Sequence, residues 1–144
     1  MPNVNKIAFA TTSREIWIYD ISSNNDFVCQ YKIVGMRFIP LCINYWSNKN
    51  NNNISLLSFG DTGGFIHAIF FKSATTSLFD KPWKSEQSQD LCFQVHINNI
   101  LSGHFPSALC LHYRAHSAWV RQIMFIPLLD CFLTCSQLRL IPSY

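Results

Sequence analysis

Charge is scarce in this sequence. Asp, Glu, Lys and Arg make up 13% of the 144 residues, against 49% for apolar side chains. That balance is too hydrophobic for a disordered tail, because the apolar groups drive collapse. The eleven Lys and Arg are scattered and the net charge is only +3. The basic stripe with interleaved aromatics that nucleic-acid binding needs is therefore missing. Long apolar runs are missing too. The longest, Ile123 to Leu133, contains Pro127 and Asp130 and falls short of the roughly 20 residues a membrane span needs. The opening residues Met1 to Lys6 carry no basic start followed by an apolar stretch, so no secretory signal is expected. The expected compartment is the reducing cytoplasm. There Cys29, Cys42, Cys92, Cys110, Cys131 and Cys135 read as buried thiols, and the sequon Asn53-Ile54-Ser55 carries no glycan. Catalytic signatures are absent as well. No Gly-x-Ser-x-Gly, glycine-rich phosphate loop or His-Glu-x-x-His occurs.

What is present is a succession of short β-patterns. Lys6 to Thr12, Glu15 to Ile21, Phe27 to Ile33, Pro40 to Trp46, Ser55 to Phe59 and Phe65 to Phe71 all read as strands. On Glu15 to Ile21 both alternating faces are mostly apolar, the pattern of a strand covered on two sides. The asparagine tract from Asn48 to Asn53 reads as a surface loop. Gly60-Asp61-Thr62-Gly63-Gly64 is the strongest turn signal, and it predicts a hairpin with Phe65 to Phe71. Ser73 to Asp90 is polar and holds Pro82, so it reads as an insertion loop. Leu91 to Leu101 holds at most one extra strand. Leu109 to Tyr113, Trp119 to Ile126 and Cys131 to Cys135 complete the set. The expected fold class is all-β, without a helix.

Two internal alignments support a repeat. Lys6–Tyr19 superposes on Ser55–Phe70 with a shift of about 50 residues, somewhat longer than the roughly 40–45 of a WD blade. Pro40–Phe59 superposes on Trp119–Ser136. The stretch Lys6 to Thr12, a turn, then Ile16-Trp17-Ile18-Tyr19-Asp20 resembles the last two strands of a WD repeat. Tyr19-Asp20 stands where the Trp-Asp dipeptide would be. Ala115-His116 before Trp119-Val120 is similar to a degenerate Gly-His signature opening a blade, and Asp61 to the repeat's turn aspartate. The chain thus resembles the WD40-repeat β-propeller family, and within it the long WD-repeat proteins of cilia and flagella. The resemblance implies a partial propeller of about two and a half blades. Residues 1–72 would hold the first two blades, the first incomplete. Residues 73–108 would be an insertion loop, and 109–144 the truncated start of a third blade. Family blades link His, Ser or Thr, Trp and Asp in a hydrogen-bonded tetrad. Here Gly35 is followed by Met36 in place of His, and the third blade has His116 with a hydroxyl at Thr134 or Ser136. No blade carries the full set, so apolar packing must hold the blades together.

These observations predict a non-catalytic protein-binding scaffold, cytoplasmic and by resemblance ciliary. It would need no cofactor, and further blades or a completing partner chain would cover its faces. Tyr19, Asp20, Asp61, His116 and Trp119 are the repeat-signature residues, with structural roles. Trp83, beside Pro82, is either an exposed partner anchor or a side chain folded back on the blade. His67 reads as a core or rim histidine. Two other readings remain: a truncated product without independent function, and a small thiol-redox or metal protein. His112-x3-His116 and Cys131-x3-Cys135 supply four possible ligands. On strands, residues four apart lie about 13 Å from each other, whereas zinc needs ligands at about 2.0–2.3 Å.

Overall fold

Strand alternation with apolar residues on both faces produces stacked sheets here. A computed structural model describes residues 1–22, 27–80 and 92–137. After a single 3-10 turn at Pro2–Val4 come β1 (Lys6–Thr11), β2 (Glu15–Asp20), β3 (Val28–Val34), β4 (Pro40–Ser47), β5 (Ser55–Asp61) and β6 (Phe65–Phe71). They are followed by β7 (Phe93–His96), α1 (Ile97–Leu101), β8 (Ala108–Arg114), β9 (Val120–Ile126) and β10 (Cys131–Ser136). The chain is all-β in class. The strands form three sheets, in the orders β1-β2-β3-β7, β4-β5-β6-β8 and β9-β10. The second is antiparallel throughout, a meander that β8 completes from beyond β7 and α1.

The sheets stack as layers. Between the first and second lie Ile16, Ile18, Tyr31 and Ile33 from one side and Leu57, Phe59, Ile69 and Phe71 from the other. Register explains the choice. Ile18 pairs with Tyr31 and Ile16 with Ile33, while Leu57 pairs with Ile69, and paired residues share a face. The opposite face of the middle sheet carries Cys42, Gly60 and Ile66, which meet Val120 and Ile123 of the third sheet. Gly60 sits in mid-strand because Val120 occupies the space a Cβ would need. Trp46 adds an edge-on contact with Phe125, at 5.3 Å between ring centroids.

Residues 73–108, expected as an insertion loop, add more to the core than their composition announced. Ala74, Leu78 and Phe79 are buried, as are Val95, Ile97, Ile100 and Phe105. Phe79 meets Tyr31, Phe71 and Phe105 edge-on at 5.4, 5.4 and 5.5 Å. It plugs the opening between the first two sheets. The expectation of no helix is corrected by α1, whose first turn is capped by the His96 ring accepting from the Asn98 amide. A five-residue helix is too short for periodicity to register, and it is held by burying Ile97 and Ile100. The single extra strand expected within Leu91 to Leu101 shrinks to Phe93–His96, and it pairs with β3 in parallel. Parallel pairing follows from the long return path of the chain, which composition does not encode.

Phe79→Ala would leave a hole bounded by three aromatic rings. It is expected to lower unfolding free energy by about 3–5 kcal/mol, read from the midpoint of urea denaturation.

Candidate functional site

Asp61, the last residue of β5, organises the β5–β6 turn. Its Oδ1 accepts the amides of Gly63 at 2.8 Å and Phe65 at 3.0 Å. Its Oδ2 lies 2.9 Å from His67 Nε2. A buried carboxylate can only accept, so the Nε2–H donates and the ring is oriented. His67 stacks on Phe59 at 4.4 Å and on His112 at 5.7 Å, both nearly parallel. Its Nδ1 is buried without a partner. The Asp61–His67 pair was not visible as a motif. The residues are six apart, and only the hairpin's pairing of Phe59 with His67 brings the ring over the turn. A cleft of about 330 Å³ opens beside it, walled by Arg37, Phe38, Asn98 and Leu101 among others.

The turn also ties two sheets together. The Gly64 carbonyl accepts the amides of Ala115 at 3.0 Å and His116 at 3.1 Å. Gly64 has φ +82 and its Cα faces the His116 carbonyl, so a side chain here meets both strain and a clash. His116 itself bonds Thr134 Oγ1 through Nε2 at 2.8 Å. The link entering β9 is therefore pinned at once to the middle sheet and to β10. Of the two hydroxyls expected to serve His116, Thr134 is the one bonded.

The other signature residues lie elsewhere. Tyr19 points away from the core and meets Phe9 edge-on at 5.7 Å. Asp20 holds Lys6 Nζ at 3.0 Å and accepts from the Ser22 amide and hydroxyl. Those Ser22 bonds, with help from Lys6, hold its carboxyl at about 2. Trp119 precedes β9 and is 41% exposed, with Arg121 stacked over its ring. It does not join the interior. Trp83 lies outside the described residues. The four possible ligands do not converge. His112 stacks on His67, and His116 bonds Thr134. No group of three or more His, Cys, Asp or Glu that could hold a metal ion exists among the described residues. Of the thiols, Cys110 is buried, and desolvation lifts it to about 12. Cys42 is likewise raised by burial. Cys131 and Cys135 are exposed, not buried as the composition suggested.

The larger feature is apolar surface. Ile7, Phe9, Trp17, Tyr19 and Phe27 line a groove of about 450 Å³ on the outer face of the first sheet. At the far end of the stack, Met124 and Leu133 pair across β9 and β10 and are both exposed. In between, β9–β10 covers only part of the middle sheet. Leu109, Leu111 and Tyr113 pair with Phe70, Ala68 and Ile66 on the same face, yet Leu111 is 55% and Tyr113 56% exposed. At these three places apolar side chains reach solvent. No helix among the described residues is long and apolar enough to cross a membrane. No family model matches the chain, and no solved structure matches it.

Asp61→Ala would orphan two amides and the His67 ring together. A loss of about 3 kcal/mol is expected, measured by thermal or urea unfolding. Asp20 carries a depressed folded pKa, so its contribution is whole above the unfolded value of about 3.9. It is lost as pH falls through about 2. Asp20→Asn should therefore destabilise by no more than about 1 kcal/mol at neutral pH, since the pair is partly solvated. The difference from wild type should shrink in melts between about pH 4 and 2 and vanish only below about pH 2.

Proposed function

We propose that this chain is a segment of a WD-type β-propeller, acting as a non-catalytic protein-binding scaffold. Its open sheet faces are covered by further blades or by a completing partner protein. The observation that carries this reading is the two-sided apolar character of the stack. Phe9 is exposed at one end, in a groove with half-buried Ile7, Trp17 and Tyr19, and Met124 and Leu133 are exposed at the other. A fully wet face would be mostly polar, whereas here Thr11, Glu15 and Lys32 flank the apolar groove. Blades of a propeller bury both faces against neighbours.

Three further features support it. The order β4-β5-β6-β8 is a four-strand antiparallel meander, the size of one blade. The β9–β10 hairpin that follows packs on β4 and β5, as the opening strands of a next blade would. His116 bonded to Thr134 supplies two of the four groups of a blade tetrad, while Asp61, in the turn of the preceding blade, bonds His67. The parallel strand β7 is the departure, an addition to the first sheet outside the repeat. In this reading the cytoplasm, and within it the cilium, is where the scaffold works. Binding rests on loops and exposed faces.

The isolated chain is expected to self-associate in analytical ultracentrifugation and to bind a hydrophobic dye. The double variant Leu111→Arg with Leu133→Arg should shift it towards monomer and reduce dye binding at least several-fold. It should leave the melting midpoint within a few degrees, because both side chains are solvent-facing. A compact, dye-silent monomer from the unaltered chain would overturn the reading.

A further inference from the structure

We propose that Cys29 and Cys92 form a peroxide-sensitive thiol pair, oxidised to an intramolecular disulfide that staples β3 to the start of β7. Their Sγ atoms lie 3.1 Å apart. A disulfide is about 2.05 Å long, so closure needs a movement of only about 1 Å. Both side chains are half-buried.

The juxtaposition is built by a β-bulge. On β3, Tyr31 pairs with Ile18, while Cys29 pairs with Tyr19. Gln30 is thus the extra residue, unopposed on β2. In a regular strand Cys29 would share the face of Tyr31, which points into the core. The bulge turns it to the outer face, that of Tyr19. Across the parallel pair Tyr31 opposes Phe93, so Cys92, one residue earlier, also leaves the core face. Without Gln30 the two thiols would lie on opposite sides of the sheet. Cys42, raised by burial, has Cys135 as a charged neighbour. Cys110 is buried and its thiol is held protonated by desolvation. Cys131 and Cys135 are four apart on one strand, about 13 Å along it.

The chemistry balances with a hydroperoxide as oxidant. One thiolate attacks the peroxide O–O bond, forming a sulfenic acid and, with hydrogen peroxide, releasing hydroxide that takes up a proton as water. The second thiol sulfur attacks the sulfenic sulfur. The S–S bond forms, the S–O bond breaks, and the oxygen leaves as a second water. Two thiols lose two electrons and two protons, and one peroxide gains them. A dithiol reductant reverses the step by exchange. The closed loop spans a sequence separation of 63 residues, so the bond removes much of the unfolded chain's freedom. It also anchors the segment leading into α1, which walls the cleft beside Asp61.

Limited hydrogen peroxide followed by alkylation, proteolysis and non-reducing mass spectrometry tests this on the intact chain. The expected first product is the Cys29 peptide joined to the Cys92 peptide, lighter by two hydrogens and reversed by dithiothreitol. The melting midpoint should rise by about 10 °C on oxidation. Cys29→Ser should abolish both the link and the rise, while Cys131→Ser with Cys135→Ser keeps both. Should Cys29→Ser fail to fold, the order of linkages in the unaltered chain decides. Cys29 and Cys92 alkylated separately after oxidation, or any other pair linking first (Cys42 with Cys135 included), overturns the proposal.

Discussion

Everything in this structure follows from strands that are apolar on both faces. A strand with alternating polar and apolar residues can rest one side in water. Strands such as Ser55–Asp61, buried along their whole length, have no such side. Each sheet must therefore be sandwiched, and the chain answers by stacking the first sheet, the middle sheet and the β9–β10 hairpin. Stacking passes the requirement outward. The outermost faces stay partly apolar, beside Thr11, Glu15 and Lys32 on the first sheet, so exposed apolar surface ends up at Phe9 on one side and at Leu133 on the other. The proposed binding role would use this surface.

Polar interactions do not oppose this logic. They set its alignment. Asp61 takes two amides and one imidazole, closing the hairpin so that Phe59 and His67 stack. Gly64 then hands its carbonyl to the Ala115–His116 link. Through His116 and Thr134 the same chain of bonds reaches β10. Sheets held only by greasy contact could slide past each other. This short run of hydrogen bonds fixes the offset of the middle sheet against the third, and apolar burial supplies the energy.

The segment between β6 and β8 shows the limit of composition as a guide. Its polar residues suggested an insertion loop. Yet Leu78 and Phe79 enter the gap between two sheets, and Ser77 and Asp80 use their polarity to hold that entry, through Tyr31 and the Ser107 amide. The return through β7 and α1 completes the plug with Val95, Ile100 and Phe105. A few well-placed apolar residues decided the outcome, and average polarity concealed them.

The sequence by itself determined the local terms. Alternation marked the strands, from Lys6 to Cys135, and Gly and Asp around residue 61 marked the tightest turn. These are legible because side-chain direction in a strand has a period of two and turn backbones admit few residue types. Residues far apart in the chain were decided only by tertiary structure. These include the parallel pairing of β3 with β7, the bulge at Gln30 that sets Cys29 beside Cys92, the stack of His67 between Phe59 and His112, and the outward position of Trp119. Each depends on register between strands. Register comes from the summed packing of whole faces, and no single residue or local pattern carries it.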